Sequence, residues 1–315
     1  MKKKIQLIEV TSELGAGTRG ASLGVGAIKT AAFNKNSQFF EKYSSNSVPN
    51  FNQHLFSKSD TPGAIRIEYI VKQFDLIVEE VKTTIQSDRF PFVLAGDHST
   101  AAATIAGIQK AHPEKTLGVV WVDAHGDLHS PYTSPTGNVH GMPLAMACNI
   151  DNKECKVREI SPKAFQKWEE LKSFSGKALD TNNLIFVGVR DTEEPEDYLI
   201  KERGIKNFEV EEVKKEGGKA IGEQILNSLS NCDMLYVSFD VDSMDPQETS
   251  HGTGTPVPNG IPVKEVTELL QTLCKSPKLV SFETVEVNPA LDEKKNKMAE
   301  VTINILEKVA EVISE

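Results

Sequence analysis

Three short segments of the 315-residue chain gather imidazoles and carboxylates at close spacing: Gly96-Asp-His-Ser, Asp123-Ala-His125-Gly-Asp127-Leu-His129 and Asp240-Val-Asp242-Ser-Met-Asp-Pro. Side chains at i, i+2 and i+4 of an extended chain face one way, so Asp123, His125 and Asp127 are expected to point together, and so are Asp240 and Asp242. A lone Asp-x-His is more often a turn or a helix cap than a ligand pair. Three such clusters differ, because massing these carboxylates around two imidazoles is costly in repulsion and lost hydration unless a cation sits among them. The donors outnumber the three or four of a single catalytic zinc and suit two cations that share bridging carboxylates. Carboxylate-rich sites with one imidazole per metal favour hard to borderline ions, manganese above all, with zinc, cobalt or nickel also able to occupy them. Water held between two such ions becomes a nucleophile near neutral pH.

Each segment follows a short apolar run: Phe92–Ala95, Leu117–Val122 and Met234–Phe239. With Leu184–Val189, Leu279–Val285 and a first strand at Ile5–Val10, these runs are nearly continuous in apolar character, as strands buried on both faces should be. Helical spacing lies between them. Ile65–Ser87 places Ile70, Phe74, Ile77, Val78, Val81 and Ile85 at three- and four-residue intervals, and Met298, Val301, Ile305, Val309 and Val312 make a stripe near the end of the chain. Strand–helix alternation of this kind implies right-handed βαβ crossovers and an α/β fold with a mainly parallel sheet covered by helices. All the ligand-bearing strand ends then lie along one edge, where open α/β folds bind ligands. Tyr43–Gly63 reads as a surface excursion, and Cys148–Asn183 as irregular apart from a helix at Pro162–Phe174. Neither is apolar enough to fold alone, so residues 1–315 read as one domain.

Composition removes several alternatives. With 35 Lys and Arg against 45 Asp and Glu, the net charge of −10 disfavours broad affinity for nucleic acid or anionic lipid. No apolar run approaches the ~20 residues needed to cross a bilayer. The basic start resembles a signal peptide, but Gln6 and Glu9 interrupt the apolar stretch at once. The 4 cysteines form no CxxC pair, which suits a reducing cytoplasm better than a disulfide scaffold.

Taken together, Gly96-Asp-His-Ser, Asp123-Ala-His-Gly-Asp, Ser238-Phe-Asp-Val-Asp-Ser-Met-Asp-Pro and Glu286-Val-Asn-Pro resemble the signatures of the ureohydrolases, the arginase/agmatinase/formiminoglutamase family. Thr136-Gly-Asn-Val-His-Gly and Gly188-Val-Arg-Asp resemble the arginase branch more than the agmatinase branch. The likeness runs from Arg19-Gly20 to Pro289. It implies a three-layer α/β/α fold and a binuclear manganese centre that hydrolyses a guanidinium to urea and an amine. By motif, His98 and Asp127 would bind one manganese and His125 and Asp242 the other, with Asp123 and Asp240 bridging. Glu286 would hold the guanidinium and His140 would shuttle a proton, roles suited to a carboxylate and an imidazole. Asp127 is counted with these two among the catalytic residues as well as among the ligands. Outside the motifs, Glu286 would read as a surface carboxylate and His140 as a satisfied core histidine.

The far end of the substrate pocket departs from the family. His129 stands where arginases usually carry an Asn that helps bind the α-carboxylate, beside the matching hydroxyls Ser134 and Thr136. Glu193 stands where an Asp usually holds the α-amino group, with Glu196 at the spacing of the family's second acid. His129 also reads as a solvent-facing loop residue, and Arg190 and Asp191 as an ion pair or turn. The expected function is therefore hydrolysis of L-arginine to L-ornithine and urea. Agmatine, a guanidino acid or formiminoglutamate are alternative substrates of the same chemistry, and a non-catalytic metal-binding relative is a further alternative. A two-metal phosphoesterase would need basic residues to hold phosphoryl oxygens, and these loops offer only Arg190. Resemblance implies a homo-oligomer, trimer or hexamer, with a small guanidino molecule as the partner.

Overall fold

The computed structural model describes residues 3–315. Eight strands form one sheet: Ile5–Val10 (β1), Ser44–Ser47 (β2), Phe90–Ala95 (β3), Leu117–Val122 (β4), Leu184–Val187 (β5), Lys206–Phe208 (β6), Met234–Asp240 (β7) and Leu279–Val285 (β8). Their order is β2-β1-β3-β8-β7-β4-β5-β6, and every pairing is parallel. The expected α/β/α architecture is the one observed. Alternate residues of each strand face opposite layers. Leu7, Phe92, Val120, Val122, Val237 and Phe239 pack into one apolar core, while Ile8, Val93, Val119, Trp121, Met234 and Tyr236 pack into the other.

Helices cover both faces because each carries an apolar stripe that only a sheet face can bury. Gly24–Asn34 (α1), Gly218–Ser228 (α6), Val263–Cys274 (α7) and Lys297–Ser314 (α8) close the first core. Ile67–Gln86 (α2), Ala101–Ala111 (α3), Pro162–Ser173 (α4) and Leu199 of Glu194–Arg203 (α5) close the second. The stripe of α8 lies on the core, with Met298, Val301, Ile305 and Val309 all buried.

Element bounds shift where backbone chemistry overrides hydrophobic pattern. The expected strand Leu184–Val189 stops at Val187, because Gly188 turns with φ +87°. The helix expected over Ile65–Ser87 starts at Ile67, behind Arg66 in the left-handed region. Tyr43–Gly63 is not wholly an excursion. Ser44–Ser47 adds an edge strand to β1 through its backbone while all its side chains are exposed, so it carries no apolar signal.

Candidate metal centre

Four neighbouring strands, β3, β8, β7 and β4, end side by side, and their C-terminal ends carry the candidate chemistry. Beyond β3 the chain turns at Asp97, whose Oδ1 accepts from Ser99 N at 3.0 Å while Oδ2 accepts from Gly15 N at 3.0 Å. His98 then opens the turn that leads into α3. Glycine at 96 is required by proximity: a Cβ there would lie 2.1 Å from the Ser12 carbonyl oxygen. Beyond β4, Asp123 Oδ1 accepts from His125 N at 2.8 Å. At the end of β7, Asp240 Oδ1 accepts from Asp242 N at 2.8 Å. In each of these last two turns one carboxylate oxygen locks the backbone two residues on, as Asp does in Asx turns, and the other oxygen is left for the centre.

The ligands therefore converge by a different route from the one expected. β4 ends at Val122, and Asp127 has φ +50°, so Asp123, His125 and Asp127 are not successive positions of an extended strand. A turn held by Asp123 and a reversal at Asp127 bring the same three side chains to one place.

His98 Nδ1 lies 3.1 Å from Asp123 Oδ2, Asp127 Oδ2 and Asp240 Oδ2 alike. A ring nitrogen carries at most one proton, so it can satisfy one of three such acceptors. His98 Nδ1, Asp123 Oδ2 and Asp127 Oδ2 are all buried without a hydrogen-bond partner. Buried polar atoms are rarely left so, and this arrangement is a donor set aimed at a cation. His125 Nδ1 makes a second set, 3.1 Å from Asp242 Oδ2 and 3.4 Å from Asp123 Oδ1. Ligand atoms of His98, Asp123 and Asp127, and those of Asp123, His125 and Asp242, each lie within 4.8 Å of one another. The shared Asp123 joins two sites. These oxygen-rich sets with one imidazole each fit borderline divalent ions.

Neighbouring side chains fix the orientation of these ligands. The His98 ring stacks on buried Trp121 at 4.1 Å, and its Nε2 pairs with Ser238 Oγ at 2.8 Å. Thr255 Oγ1 donates to Asp242 Oδ2 at 3.2 Å. Thr255 sits in the same connection, 13 residues after Asp242, but a lone threonine there carries no sequence pattern that marks the contact. Asp191 pairs in a short parallel bridge with His125, with its Oδ2 3.6 Å from His125 Nε2. Arg190 forms no pair with Asp191. Its guanidinium donates to the carbonyls of Gly188, Asp242, Ser243, Val257 and Pro258, tying the loops after β5 and β7 together.

Charge is concentrated here against the cost of burial. Burial, with Asp123 close by, pushes Asp127 up to about 7. Asp240 is raised well above the carboxylate range by burial and by the charges of Asp242 and Asp123. Burial also opposes ionisation of Asp123, but hydrogen bonds from His125 and His98 win and hold it low.

Glu286 follows β8 in the left-handed region, φ +67°, with its N donating to Gly96 O at 2.8 Å and its Oε1 accepting from His98 N at 2.9 Å. Burial first, then Asp97, raises it to about 8. His140 Nδ1 stands 3.8 Å from Glu286 Oε1, and burial, then His125 and His98, lowers it to about 4. Both line a cavity of about 240 Å³ whose floor is the ligand cluster. Its lining is mixed in chemistry. Ser134, Thr136 and Asn138 bring hydroxyls and an amide to the lining, and Asp191, Glu193 and Glu196 bring carboxylates. Ser134 Oγ accepts from Gly137 N and Thr136 Oγ1 from Asn138 N, so each hydroxyl keeps its proton for a ligand. Asn138 lies inside a segment singled out above but had been given no role there. His129 is buried, not solvent-facing, and its Nε2 is turned to Glu193 Oε2 at 3.4 Å and Glu196 Oε2 at 3.5 Å.

A family model described as Arginase family matches residues 3–311. The chain belongs to the arginase family. It is 32% identical to arginase of Bacillus subtilis strain 168 over 317 residues, covering 98% of this chain and 97% of that protein. The crystal structure of arginase from Bacillus caldovelox is similar with a TM-score of 0.83 at 30% identity, over 98% of each chain. Entamoeba histolytica arginase, solved in complex with L-ornithine, is similar with a TM-score of 0.83 at 26% identity, over 98% of this chain and 99% of that one. The family assignment rests on nearly the whole chain and extends beyond the ligand motifs, so it includes the outer wall where His129 and Glu193 depart from the arginase pattern.

Proposed function

We propose that this arginase-family hydrolase, which acts on the C–N bonds of amidines, converts L-arginine and water to L-ornithine and urea at a centre holding two manganese ions. The observation that carries the reading is the pair of ligand sets sharing Asp123, with Glu286 and His140 at one end of the cavity above them. His98, Asp123, Asp127 and Asp240 would hold one ion and His125, Asp242 and the two bridging aspartates the other. Such ions, when bound, supply Lewis-acid activation of a water molecule.

The chain's own groups do the rest. Glu286 faces the guanidinium with a charge-assisted contact and sets the carbon over the ligand cluster. Water oxygen bonds to that carbon, and the bond from carbon to the side-chain nitrogen breaks. The leaving amine needs a proton, and His140, whose lowered pKa keeps it neutral between turnovers, relays one from the attacking water. Ser134, Thr136 and Asn138 offer donors to the α-carboxylate, while Glu193 and Glu196 offer acceptors to the α-amino group.

Free cysteines support a cytoplasmic setting, and family likeness supports a trimer or hexamer built from single-domain subunits. No described helix is long and apolar enough to cross a membrane. Urea release measured on L-arginine, agmatine, guanidino acids and formiminoglutamate, after loading with manganese, tests the reading. L-Arginine should give the highest kcat/KM. Equal values for arginine and agmatine would remove the arginase assignment and leave the hydrolytic chemistry in place.

A further inference from the structure

His129 lines the cavity, and neighbours hold both its backbone and its ring. Its backbone N donates to Gly141 O at 3.0 Å. Thr133 Oγ1 accepts from Ser130 N at 2.9 Å, which leaves the hydroxyl proton two acceptors, His129 Nδ1 at 3.2 Å and Ser130 O at 3.5 Å. The nearer is the ring nitrogen. An imidazole that accepts at Nδ1 carries its proton on Nε2. That Nε2 faces Glu193 Oε2 at 3.4 Å and Glu196 Oε2 at 3.5 Å on the cavity lining, from a side chain only 10% exposed.

Glu196 is fixed from its other side. Its Oε1 accepts from Leu128 N at 3.1 Å and its Oε2 from Glu193 N at 3.2 Å, at the start of α5. Glu193 opens the same helix and completes a capping box with Glu196, its side chain facing the Glu196 backbone N while remaining 53% exposed. The imidazole is longer than the amide usual at this position, and Glu193 is longer than the usual aspartate. The two added lengths meet across the pocket.

We infer that His129 is a positioning residue that holds Glu193 beside Glu196 as a two-carboxylate clamp for the substrate's distal ammonium, and that it does not read the α-carboxylate. This deepens the arginine reading and rests on it for the direction in which the substrate lies. The carboxylate is left to the hydroxyls of Ser134 and Thr136 and to Asn138 on the same cavity lining.

Three amines separate the roles: L-ornithine carries both distal groups, 1,4-diaminobutane lacks the carboxylate, and 5-aminopentanoate lacks the α-amine. Their binding to the manganese-loaded protein is measured by calorimetry. His129→Ala should weaken L-ornithine and 1,4-diaminobutane by about tenfold each and leave 5-aminopentanoate within about twofold. His129→Gln, which keeps an N–H at similar reach, should recover much of the loss. Glu193→Gln should cost less in the His129→Ala background than in the wild type, since the clamp is already undone. Loss confined to L-ornithine and 5-aminopentanoate would overturn the inference in favour of carboxylate reading. Equal loss for all three amines, or full additivity of the two substitutions, would overturn it as well. Urea release from L-arginine by the wild type tests the underlying reading separately: its absence would remove the arginine assignment, while the binding comparison still judges His129.

Discussion

At Asp123 a single carboxylate serves both ligand sets, and that sharing separates it from its neighbours. Asp123→Ala should strip both ions, whereas Asp242→Ala should weaken mainly the His125 set. Elemental analysis after dialysis checks this, and one retained ion in Asp123→Ala would contradict the shared role. Glu286 and His140 belong to the same end of the cavity but do different work. Glu286→Gln removes the charge facing the guanidinium and should lower kcat/KM by about a hundredfold with metal content preserved, in line with loss of a charge-assisted contact. His140→Asn should lower kcat while KM stays near normal. Full activity of His140→Asn across the pH range would end its role in proton transfer. Both residues line the cavity, and Glu286 is buried there, so it is not a surface carboxylate. The residues most legible in the sequence were those with several ligand types in a few positions. Thr255 and Asp191 were not legible, because a hydroxyl or carboxylate that supports a ligand leaves no periodic trace.

β4 both carries Asp123 and supplies Trp121, whose indole lies flat under the His98 ring at an interplanar angle of 4°. The strand thus sets a ligand on its own end and steadies one from β3. Trp121→Ala should cost about 3–5 kcal/mol of stability, and manganese affinity should fall as well, because His98 loses its platform. Chemical denaturation and metal titration together check it; intact affinity in a destabilised variant would show that Ser238 alone orients the ring. Buried parallel strands were readable because both faces of each are apolar. The edges were not: β2 is Ser44-Ser-Asn-Ser, joined to β1 by its backbone and by serine hydroxyls on Gln6 and Glu9 with no apolar contact to signal it, and β6 is only Lys206–Phe208. The strand ends were read with the right residues and the wrong geometry. Alternation put the three ligands of the β4 segment together on paper, whereas side chain-to-backbone bonds and a left-handed Asp127 do so in the protein.

For the molecule as a whole, the centre is where stability and charge oppose each other. Asp127 and Glu286, raised to about 7 and about 8, hold protons in the folded chain that the unfolded chain has already released above the ordinary carboxylate range. Groups raised in this way contribute stability below their unfolded pKa and lose it as pH climbs through the folded value. Metal-free protein should therefore melt at progressively lower temperature between about pH 5 and pH 8.5. Manganese should restore the melting temperature, most of all at the alkaline end, and magnesium should do so less well because imidazole ligands disfavour it. A melting temperature that chelation leaves unchanged at pH 8.5 would sink this account. The locked turns at Asp123 and Asp240 add an evolutionary asymmetry. An asparagine at position 240 keeps an oxygen for the same backbone N–H while discarding a charge that burial opposes, so without its ions the fold gains by the exchange. At position 123 it would forfeit a charge that His98 and His125 stabilise. At position 240 only the reaction penalises it. A lineage no longer selected for hydrolysis would be free to drift toward asparagine at the Asp240 corner first.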